Sequence, residues 1–511
     1  MKTCLIVDFG SQYTQLIVRR LRELRVYSRL VQSRDLKAAL NEGSVAAVIL
    51  SGGPMSVVDQ NAPGLELSLQ DLKVPVLGIC YGMQYLAKEL GGQVDSQVAR
   101  EYGVELLKQH ESSVLWEGVE SSEFSVLMSH GDHVSKAPPG FRPTAFSEAG
   151  VLAAMEDSER KLFGMQFHPE VSHTPAGNKI LKNFLRLCGF SFDWDASQML
   201  EELRLKLKSE VKDGKILCAV SGGVDSTVLA VLLNSIFPGK VECVCVDSGL
   251  LRKAEVKELR ELFEKHFNFP IRIVDAKRDF LSALTGVIDP EEKRKQIGRV
   301  FIEVFEREVS DLSEVKYLAQ GTLYSDKIES TSPHGGVSKK IKSHHNVGGL
   351  PERLNFQLLE PFGEIFKDEV RVLGRRLGLS EDFLGRHPFP GPGLAVRIIG
   401  EVTEERLDRL REAEACLQEV LKDSDWLHRL WQAFCVYLPV SSVGVMGDER
   451  TYEHCIAVRC VESEDAMTAS VGALEPQLLE KISRRIINQV KGINRVVYDI
   501  SSKPPATIEW E

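Results

Sequence analysis

The chain has 511 residues, 43% of them hydrophobic and 27% charged, a composition that excludes a disordered or collagen-like protein. The 73 acidic residues outnumber the 63 basic ones, and the net charge of −10 argues against nucleic acid or an anionic membrane as a partner. At roughly 150 residues per domain, this length predicts about three domains.

The start of the chain and the cysteines predict a cytoplasmic protein. The segment after Met1 reaches Asp8 through a very short apolar run, so it lacks the hydrophobic core of a signal peptide. Apolar runs such as Val45–Leu50 are much shorter than the roughly 20 residues that cross a membrane. The ten cysteines are scattered without a repeated Cys-x-x-Cys pair, which predicts reduced thiols that lie mostly in the core.

The first 190 or so residues alternate apolar runs with helical patterns. Strands are predicted at Thr3–Val7, Val45–Leu50 and Val74–Ile79, and a helix is predicted at Gln15–Leu24. Continuous apolar runs are typical of parallel strands that are buried on both faces. The alternation therefore predicts a doubly wound α/β domain over residues 1–189.

Two breaks divide the rest of the chain. The first is Gly189–Asp195, and the second is Arg386–Gly393, whose three prolines and two glycines cannot lie inside a helix or a central strand. Residues 190–386 repeat the α/β pattern and predict a second doubly wound parallel sheet. Its predicted strands are Lys215–Val220, Val241–Val246 and Ile271–Val274. Residues 387–511 mix strand and helix signals, which predicts a smaller α+β C-terminal domain.

A cysteine flanked by glycines follows the third predicted strand. In Gly78-Ile79-Cys80-Tyr81-Gly82 the thiol lies at a junction between a strand and a helix, the arrangement of a nucleophile elbow. The helix N-terminus behind the sulfur favours the reactive thiolate. Backbone N–H groups of Gly52, Gly53 and Tyr81 are the candidate oxyanion hole.

His168 and Glu170 are the candidate partners of Cys80. Residues two apart in an extended segment point to the same side, and Pro169 keeps His168 out of a helix. Glu170 can therefore hold one imidazole nitrogen while the other faces the thiol. The three residues would then supply the nucleophile, the base and the orienting group that covalent catalysis by a thiol requires.

These strings resemble the class I glutamine amidotransferases over about residues 1–189. The resemblance rests on the cysteine motif with Gln84, on Ser51-Gly52-Gly53-Pro54 and on Gln166-Phe167-His168-Pro169-Glu170. It implies hydrolysis of glutamine, with Cys80 as nucleophile and His168 as proton donor to the leaving ammonia. It also implies that Gln84 and the segment Ser129–His133 contact glutamine. The alternative for that segment is a metal site at His130 and His133, although no third ligand stands out.

A glycine-rich loop follows the first predicted strand of the second domain. The string Ser221-Gly222-Gly223-Val224-Asp225-Ser226-Thr227 offers exposed N–H groups and a helix N-terminus, which favour an anion. It lacks the Gly-Lys-Ser/Thr ending of loops that hold the γ-phosphate for transfer. Hydroxyls and Asp225 suit pyrophosphate with Mg²⁺ on the carboxylate. The simpler alternative is a glycine turn followed by a capped helix.

The loop resembles the PP-loop of ATP pyrophosphatases. The resemblance implies that ATP is cleaved between its α- and β-phosphates and that AMP is attached to an oxygen of the acceptor. Asp247 ends the next strand at the edge where the nucleotide is expected. Lys367 is a candidate to neutralise the leaving pyrophosphate, and a surface lysine is the alternative. Mg²⁺ is expected to bind together with ATP. No tightly bound organic cofactor is expected.

A glutaminase joined to an adenylating site has a simple chemical logic. Ammonia made beside an activated acceptor reacts through proximity instead of high concentration. The order of the parts resembles the glutamine-hydrolysing GMP synthetases, which aminate xanthosine monophosphate (XMP). The supporting strings are Glu292–Lys295, Lys342–Pro351, Pro388–Leu394, Val443–Tyr452 and Ser501–Glu511.

The resemblance also implies the acceptor site and the partners. Residues at positions where the family contacts XMP are Arg294, Gln432, Asp448, Lys503 and Glu509. The implied substrates are glutamine, ATP and XMP, and the implied assembly is a homodimer through the C-terminal domain. The segment Ile328–Pro351 is a candidate lid over the nucleotide.

Two other functions remain as alternatives at this stage. One keeps the PP-loop but changes the acceptor, for instance to a tRNA base or another small acid. The net charge and the absence of Cys-x-x-Cys argue against the tRNA-modifying enzymes. A non-catalytic scaffold on the same fold predicts the loss of Cys80, His168, Glu170 or Asp225, and all four are present.

Overall fold

The computed structural model describes residues 2–309, 314–324, 356–446, 449–463 and 468–511. They form two compact units, Met1–Met199 and Leu200–Glu511. The predicted lid Ile328–Pro351 and the predicted XMP contact Asp448 lie outside the described residues. No helix in the described ranges is both long and apolar enough to cross a membrane.

The first unit is built on one mixed sheet. Its strands are β1 (Thr3–Asp8), β2 (Ser28–Gln32), β3 (Val45–Leu50), β4 (Val76–Ile79), β5 (Gln93–Gln109), β6 (Glu123–Lys136), β7 (Arg142–Ser147), β8 (Leu152–Asp157) and β9 (Leu162–Met165). Its helices are α1 (Thr14–Glu23), α2 (Leu36–Leu40), α3 (Tyr81–Glu89) and α4 (Gly177–Leu187), and α5 (Ala196–Glu210) runs on into the second unit.

The strand order of this sheet is β2-β1-β3-β4-β9-β8-β7-β5-β6. The first five strands are parallel, as the apolar runs predicted, and the remaining pairings are antiparallel. The long β5–β6 hairpin and strands β7 and β8 were not predicted. Strands β3 and β4 are fully buried at their carboxyl ends, so the segments that follow them lie side by side at one edge of the sheet.

The second unit contains a parallel sheet and an α+β sheet. The strands are β10 (Lys215–Ala219), β11 (Val241–Asp247), β12 (Ile271–Asp275), β13 (Val315–Ala319), β14 (Gln357–Leu359), β15 (Gln432–Met446), β16 (Glu449–Glu462), β17 (Ser470–Val471) and β18 (Ile493–Tyr498). The helices are α6 (Val224–Ile236), α7 (Glu255–Glu261), α8 (Lys277–Leu284), α9 (Pro290–Val309), α10 (Lys367–Arg376), α11 (Glu381–Leu384), α12 (Glu404–Lys422), α13 (Trp426–Arg429) and α14 (Pro476–Gln489).

Strand order in the parallel sheet is β12-β11-β10-β13-β14. The order reverses at β10, which is flanked by β11 on one side and β13 on the other. Open α/β sheets bind ligands at the carboxyl ends of the strands beside such a reversal. The loop that follows β10 therefore starts at the position where this fold places a nucleotide.

The C-terminal sheet joins β16 to β15 and β17 in antiparallel pairs and to β18 in a parallel pair. One apolar core extends from the parallel sheet, through Leu217 and Val244, to Tyr437 and Ile486 of the C-terminal elements. The α/β fold class is thus confirmed, with a mixed sheet that is parallel over its first five strands, a parallel sheet, and a smaller α+β region after them. The three predicted domain ranges stay predictions, because the division into two units tests neither boundary.

Candidate active sites

Cys80 lies in a strained turn between β4 and α3. Its φ of 51° and ψ of −107° are unfavourable for a residue with a side chain. A Cβ on Gly82 would lie 2.3 Å from the Leu50 carbonyl oxygen, and one on Gly78 would lie 2.5 Å from the Gly82 backbone. Only glycine fits at both positions. The Cys80 N–H donates to the Met165 carbonyl over 2.7 Å, which fixes the turn against β9.

His168 and Glu170 follow β9 and form a buried pair. The Nδ1 atom of His168 lies 2.7 Å from Oε1 of Glu170, and the two residues are 2% and 0% exposed. Burial alone would lower the pKa of His168, but the charge of Glu170 and the neighbouring Cys80 thiol raise it well above its usual range. The pairing leaves Nε2 for the thiol and favours a protonated imidazole.

Three further residues contact this pair. Thr174 Oγ1 donates to the His168 carbonyl over 2.7 Å, and the Arg20 guanidinium donates to the Glu170 carbonyl over 2.9 Å. The ring of Tyr13 packs edge-on to the imidazole, with 5.0 Å between the ring centres. These contacts help to fix the position of the imidazole. The spacing of the sequence does not reveal the residues that make them.

The glycines after β3 lie beside the imidazole. A Cβ on Gly52 would lie 3.2 Å from Cε1 of His168, and one on Gly53 would lie 2.9 Å from the Phe9 carbonyl oxygen. Ser51 Oγ donates to the Gly52 carbonyl over 2.8 Å and so orients the peptide that carries the Gly53 N–H. The structure thus brings Gly52 and Gly53 to the edge of the sheet that holds Cys80 and the start of α3 at Tyr81.

Gln84 and the segment Ser129–His133 lie next to the thiol. The amide nitrogen of Gln84 lies 2.7 Å from the Asp132 carbonyl oxygen and 3.2 Å from Oε1 of Gln166. Gln166 in turn points its amide nitrogen at the Cys80 sulfur over 3.6 Å, and the thiol lies 3.7 Å from the Ser129 carbonyl oxygen. Gln166 was not predicted as a site residue, although it precedes His168 by two positions on the same extended segment.

The histidines of this segment do not gather metal ligands. Nε2 of His130 lies 3.1 Å from Oε2 of Glu101, whose other oxygen accepts a bond from Ser147 over 2.5 Å. Burial alone would raise the pKa of Glu101, but these two bonds lower it. Within the described ranges, no group of three His, Cys, Asp or Glu side chains could hold a metal ion. His130 is therefore a partner of a buried carboxylate.

In the second unit, the loop from Ser221 to Thr227 turns from β10 into α6. Gly222 has a φ of +83°, which glycine adopts without strain. Ser226 Oγ accepts the Ser221 N–H over 3.1 Å and lies 3.1 Å from Ser221 Oγ, which closes the loop on itself. Gly223 and Val224 start the helix, so their N–H groups point out of its N-terminus. Thr227 is fully buried, so its hydroxyl does not face solvent.

Asp225 and Lys367 each lie in the first turn of a helix. Asp225 is in the first turn of α6, and Lys367 is the first residue of α10. Helix α10 packs against α6, since a Cβ on Gly374 would lie 3.0 Å from a methyl group of Val228. A carboxylate and an ammonium are thus carried on two packed helices.

Asp247 ends β11 and is already engaged by the protein. One of its oxygens accepts the Gly249 N–H over 3.1 Å, and the other lies 3.1 Å from the Lys277 ammonium. A cavity of about 560 Å³ adjoins it, a volume typical of small-molecule sites. The basic residues of its wall are Arg252, Lys253, Lys257, Arg260, Lys277 and Arg411. The wall of this cavity includes no residue of the Ser221–Thr227 loop.

The structure joins two of the residues expected to contact XMP. The amide nitrogen of Gln432 lies 2.7 Å from Oε1 of Glu509, which also binds the fully buried guanidinium of Arg397. The guanidinium of Arg294 on α9 lies 3.4 Å from the carboxylate of Glu291 on the same helix. The backbone of Lys503 pairs with that of Ala469 in an isolated antiparallel β-bridge. Residues 507–508 bond to Arg459 of the C-terminal sheet. Arg397 was not predicted as a site residue.

Two family models match the chain. Residues 5–188 match class-I glutamine amidotransferases, and residues 419–510 match the C-terminal domain of GMP synthase. The first match spans Cys80, His168 and Glu170. The second spans four of the five predicted XMP contacts, namely Gln432, Asp448, Lys503 and Glu509.

The chain is similar to named proteins over nearly its whole length. The glutamine-hydrolysing GMP synthase of Rhodopseudomonas palustris is 52% identical over 510 residues, which cover 99% of this chain and 94% of that protein. The protein of the same name from Oleidesulfovibrio alaskensis is 52% identical, with 99% of each chain covered. The one from Carboxydothermus hydrogenoformans is 51% identical over 508 residues, again with 99% of each chain covered.

Proposed function

The chain belongs to the glutamine-hydrolysing GMP synthase family, and on this premise we propose which of its residues perform each step. Glutamine hydrolysis supplies ammonia, which converts adenylated XMP into GMP. In total, ATP, XMP, glutamine and water give AMP, pyrophosphate, GMP and glutamate. The strained turn that holds Cys80 beside the buried His168–Glu170 pair is the observation that carries the assignment of the glutaminase site.

In the glutaminase half-reaction, the Cys80 thiolate attacks the side-chain carbonyl carbon of glutamine. The imidazolium of His168 donates its Nε2 proton to the amide nitrogen, ammonia leaves, and a thioester remains on the sulfur. His168 then takes a proton from water, the hydroxide attacks the thioester, and the proton returns to the sulfur as glutamate departs. Glu170 keeps the imidazole oriented and favours its protonated form.

Negative charge on the carbonyl oxygen needs donors during both attacks. We assign this role to the N–H groups of Gly53 and Tyr81, an assignment supported by the place of Gly52 and Gly53 beside His168 and of Tyr81 at the start of α3. Gln84 and the Ser129–His133 segment are the proposed contacts of the substrate's amino acid end. On this account, the bond between the Gln84 amide and the Asp132 carbonyl is replaced by a bond to the substrate when glutamine binds.

In the synthetase half-reaction, an XMP oxygen attacks the α-phosphorus of ATP and pyrophosphate leaves. Ammonia then attacks the activated carbon and AMP departs. The N–H groups of the Ser221–Thr227 loop and the N-terminus of α6 receive the pyrophosphate, and Lys367 balances its charge. The proposed nucleotide position extends from this loop toward Asp247.

The loop residues also fit Mg²⁺. Hydroxyl and carboxylate oxygens are the ligands that this ion prefers, and it commonly takes one or two carboxylates together with substrate phosphates. Asp225 is the residue that would hold it, and the ion would neutralise phosphate charge when bound. Asp225 itself is positioned by the first turn of α6.

The proposed XMP contacts divide by chemistry. Arg294 and Lys503 carry the positive charges that suit the 5′-phosphate. Gln432, Asp448 and Glu509 carry the amide and carboxylate groups that suit the base and ribose. The direct bond between Gln432 and Glu509 supports placing these two in one subsite.

A homodimer through the C-terminal sheet is part of the proposal. Val443, Val445 and Tyr452 are 49%, 76% and 65% exposed, and Val443 pairs directly with Tyr452 across β15 and β16. Residues two apart on a strand share a face, so the three side chains form one exposed apolar patch. A patch of this kind favours a self-complementary contact with a second copy.

Replacing Cys80 tests the glutaminase assignment. The Cys80→Ala variant is expected to lose glutamine-driven GMP formation by about 10⁴-fold while it keeps the ammonium-driven reaction. Cys188→Ala is the matched control, because burial raises the pKa of that thiol to about 12 and makes it a poor nucleophile. Glutamine use by Cys80→Ala at the wild-type rate would overturn the assignment.

A further inference from the structure

Lys293 is a fully buried lysine in the second unit, on α9. Its ammonium donates to the carbonyl oxygens of Ala395 and Ile398 over 3.3 Å and 2.6 Å, and to the side-chain carboxylate of Glu511. An ammonium has three N–H donors, so all three are used. The last residue of the chain is thereby bonded to a helix 218 positions earlier.

The three bonds of Lys293 bracket the Arg397–Glu509 ion pair. Ala395 and Ile398 lie on either side of Arg397, while Glu511 lies two residues beyond Glu509. The guanidinium of Arg397 meets the two oxygens of Glu509 over 3.1 Å and 2.9 Å in a bidentate geometry. One ammonium therefore fixes the backbone that carries both members of the pair.

A second buried cation holds the other side of Glu509. The guanidinium of Arg459, which is 0% exposed, donates to the carbonyl oxygens of Ile508 and Thr507 over 2.7 Å and 2.9 Å. It also binds the Asp499 carboxylate over 2.7 Å. Glu509 is thus held between two anchors, with Arg459 before it in the chain and Lys293 after it.

Charge at this position has no packing advantage. A buried ammonium is costly to desolvate, and an apolar side chain of similar volume would fill the same space at lower cost. Burial lowers the pKa of Lys293, and the bond to Glu511 opposes that shift. The ammonium contributes directional hydrogen bonds. These bonds hold Glu511 and the Arg397 segment in one relative geometry.

We propose that Lys293 is a positioning residue for the acceptor nucleotide: by clamping Glu511 and the Arg397 segment, it sets the orientation of Glu509 and Gln432 toward XMP. The inference rests on the proposed function, which assigns XMP to Glu509 and Gln432. Lys293 itself touches no substrate on this account, since its three donors are satisfied by the protein.

Two single variants and their combination test the clamp. In Lys293→Met and in Glu511→Gln, the KM for XMP is expected to rise about tenfold, as for loss of a charged hydrogen bond. Meanwhile kcat at saturating XMP, the KM for ATP and glutaminase activity should stay within about twofold. The double variant should resemble the single ones, because both substitutions break one contact. Glu511→Gln changes only the chain end, so it keeps the test valid if Lys293→Met does not fold.

Lys295→Met is the matched control on the same helix. The Lys295 side chain is 58% exposed and pairs only with Glu292 in the described structure, so no change in the KM for XMP is expected. Hydrogen–deuterium exchange supplies a second readout, and the amides of residues 508–511 should exchange faster in Lys293→Met than in the control.

Glu509→Gln separates failure of the clamp from failure of the proposed site. If Glu509→Gln raises the KM for XMP but Lys293→Met and Glu511→Gln do not, the positioning role is wrong and the site assignment stands. If Glu509→Gln leaves that KM unchanged, the proposed XMP site is wrong and the clamp inference falls with it. A parallel loss of kcat for every substrate would show a structural role only and would also overturn the inference.

Discussion

The two candidate sites differ in how far the folded chain has already assembled them. In the first unit, His168 contacts both Cys80 and Glu170, and neighbours such as Gln166 and Thr174 bond to these residues. In the second unit, the loop bonds to itself, Asp247 pairs with Lys277 and Lys367 stands on another helix. The proposed glutaminase residues already bond to one another without glutamine, whereas in the proposed nucleotide site we expect the substrates to bring the charged groups together.

This difference reflects the chemistry of each step. A thiolate nucleophile needs a base at a fixed distance, so the fold supplies strain and burial to hold it. Phosphate transfer relies on many charged contacts to a large ligand, and the ligand itself provides the opposite charges. Substitutions should therefore affect glutamine hydrolysis through the geometry of the catalytic residues. They should affect the reaction with ATP through the charge available to the phosphates.

After the loss expected for Cys80→Ala, the next largest effect is expected from Asp225. Asp225→Asn should reduce release of pyrophosphate from ATP and XMP by about 10²- to 10³-fold, because it removes the proposed Mg²⁺ ligand. Glutamine hydrolysis measured alone should be unchanged. Asp213→Asn is the control, since that carboxylate is exposed and pairs with Lys316 at the surface. Wild-type pyrophosphate release by Asp225→Asn would refute its role.

An intermediate effect is expected from Glu170. Glu170→Gln should lower kcat/KM for glutamine by roughly a hundredfold, since the imidazole loses its orienting charge. Glu170 raises the pKa of His168, so its replacement lowers that pKa. The leaving ammonia needs protonated His168, so activity falls as pH rises through this pKa. The alkaline limb of the pH profile should therefore move to lower pH, and a limb that stays in place would contradict the pairing.

The smallest effect on chemistry is expected from the apolar patch. Val445→Lys places a charge in the centre of the proposed dimer contact and should shift the protein toward monomer in analytical ultracentrifugation. Glutaminase activity should change by less than about twofold. Val372→Lys, at a position 38% exposed on α10, is the control for adding a charge elsewhere. An unchanged sedimentation coefficient would place the dimer contact on another surface.

Local sequence patterns predicted one part of the structure well. Continuous apolar runs located β1, β3, β4, β10 and β11, because strands buried on both faces leave no other pattern. The turn at Cys80 was predicted because glycines on both sides are a local signal. The antiparallel half of the first sheet was not predicted, since the exposed and buried residues of β5 and β6 give only a weak alternation.

Long-range partners explain the rest of what was missed. Glu101 meets His130 across 29 positions, and Arg397 meets Glu509 across 112 positions. No local spacing signals that two such residues will meet. Buried cations are also hidden in a sequence, because Lys293 and Arg459 look like surface residues until the fold covers them.

Transfer of labelled nitrogen tests the coupling of the two reactions most directly. The wild-type protein is incubated with ATP, XMP and glutamine carrying ¹⁵N in its side-chain amide, and the mass of the GMP is measured. We predict ¹⁵N in the new amino group of GMP from the wild type, and unlabelled GMP from Cys80→Ala supplied with ordinary ammonium. Formation of glutamate by the wild type without any ¹⁵N in GMP would contradict the account.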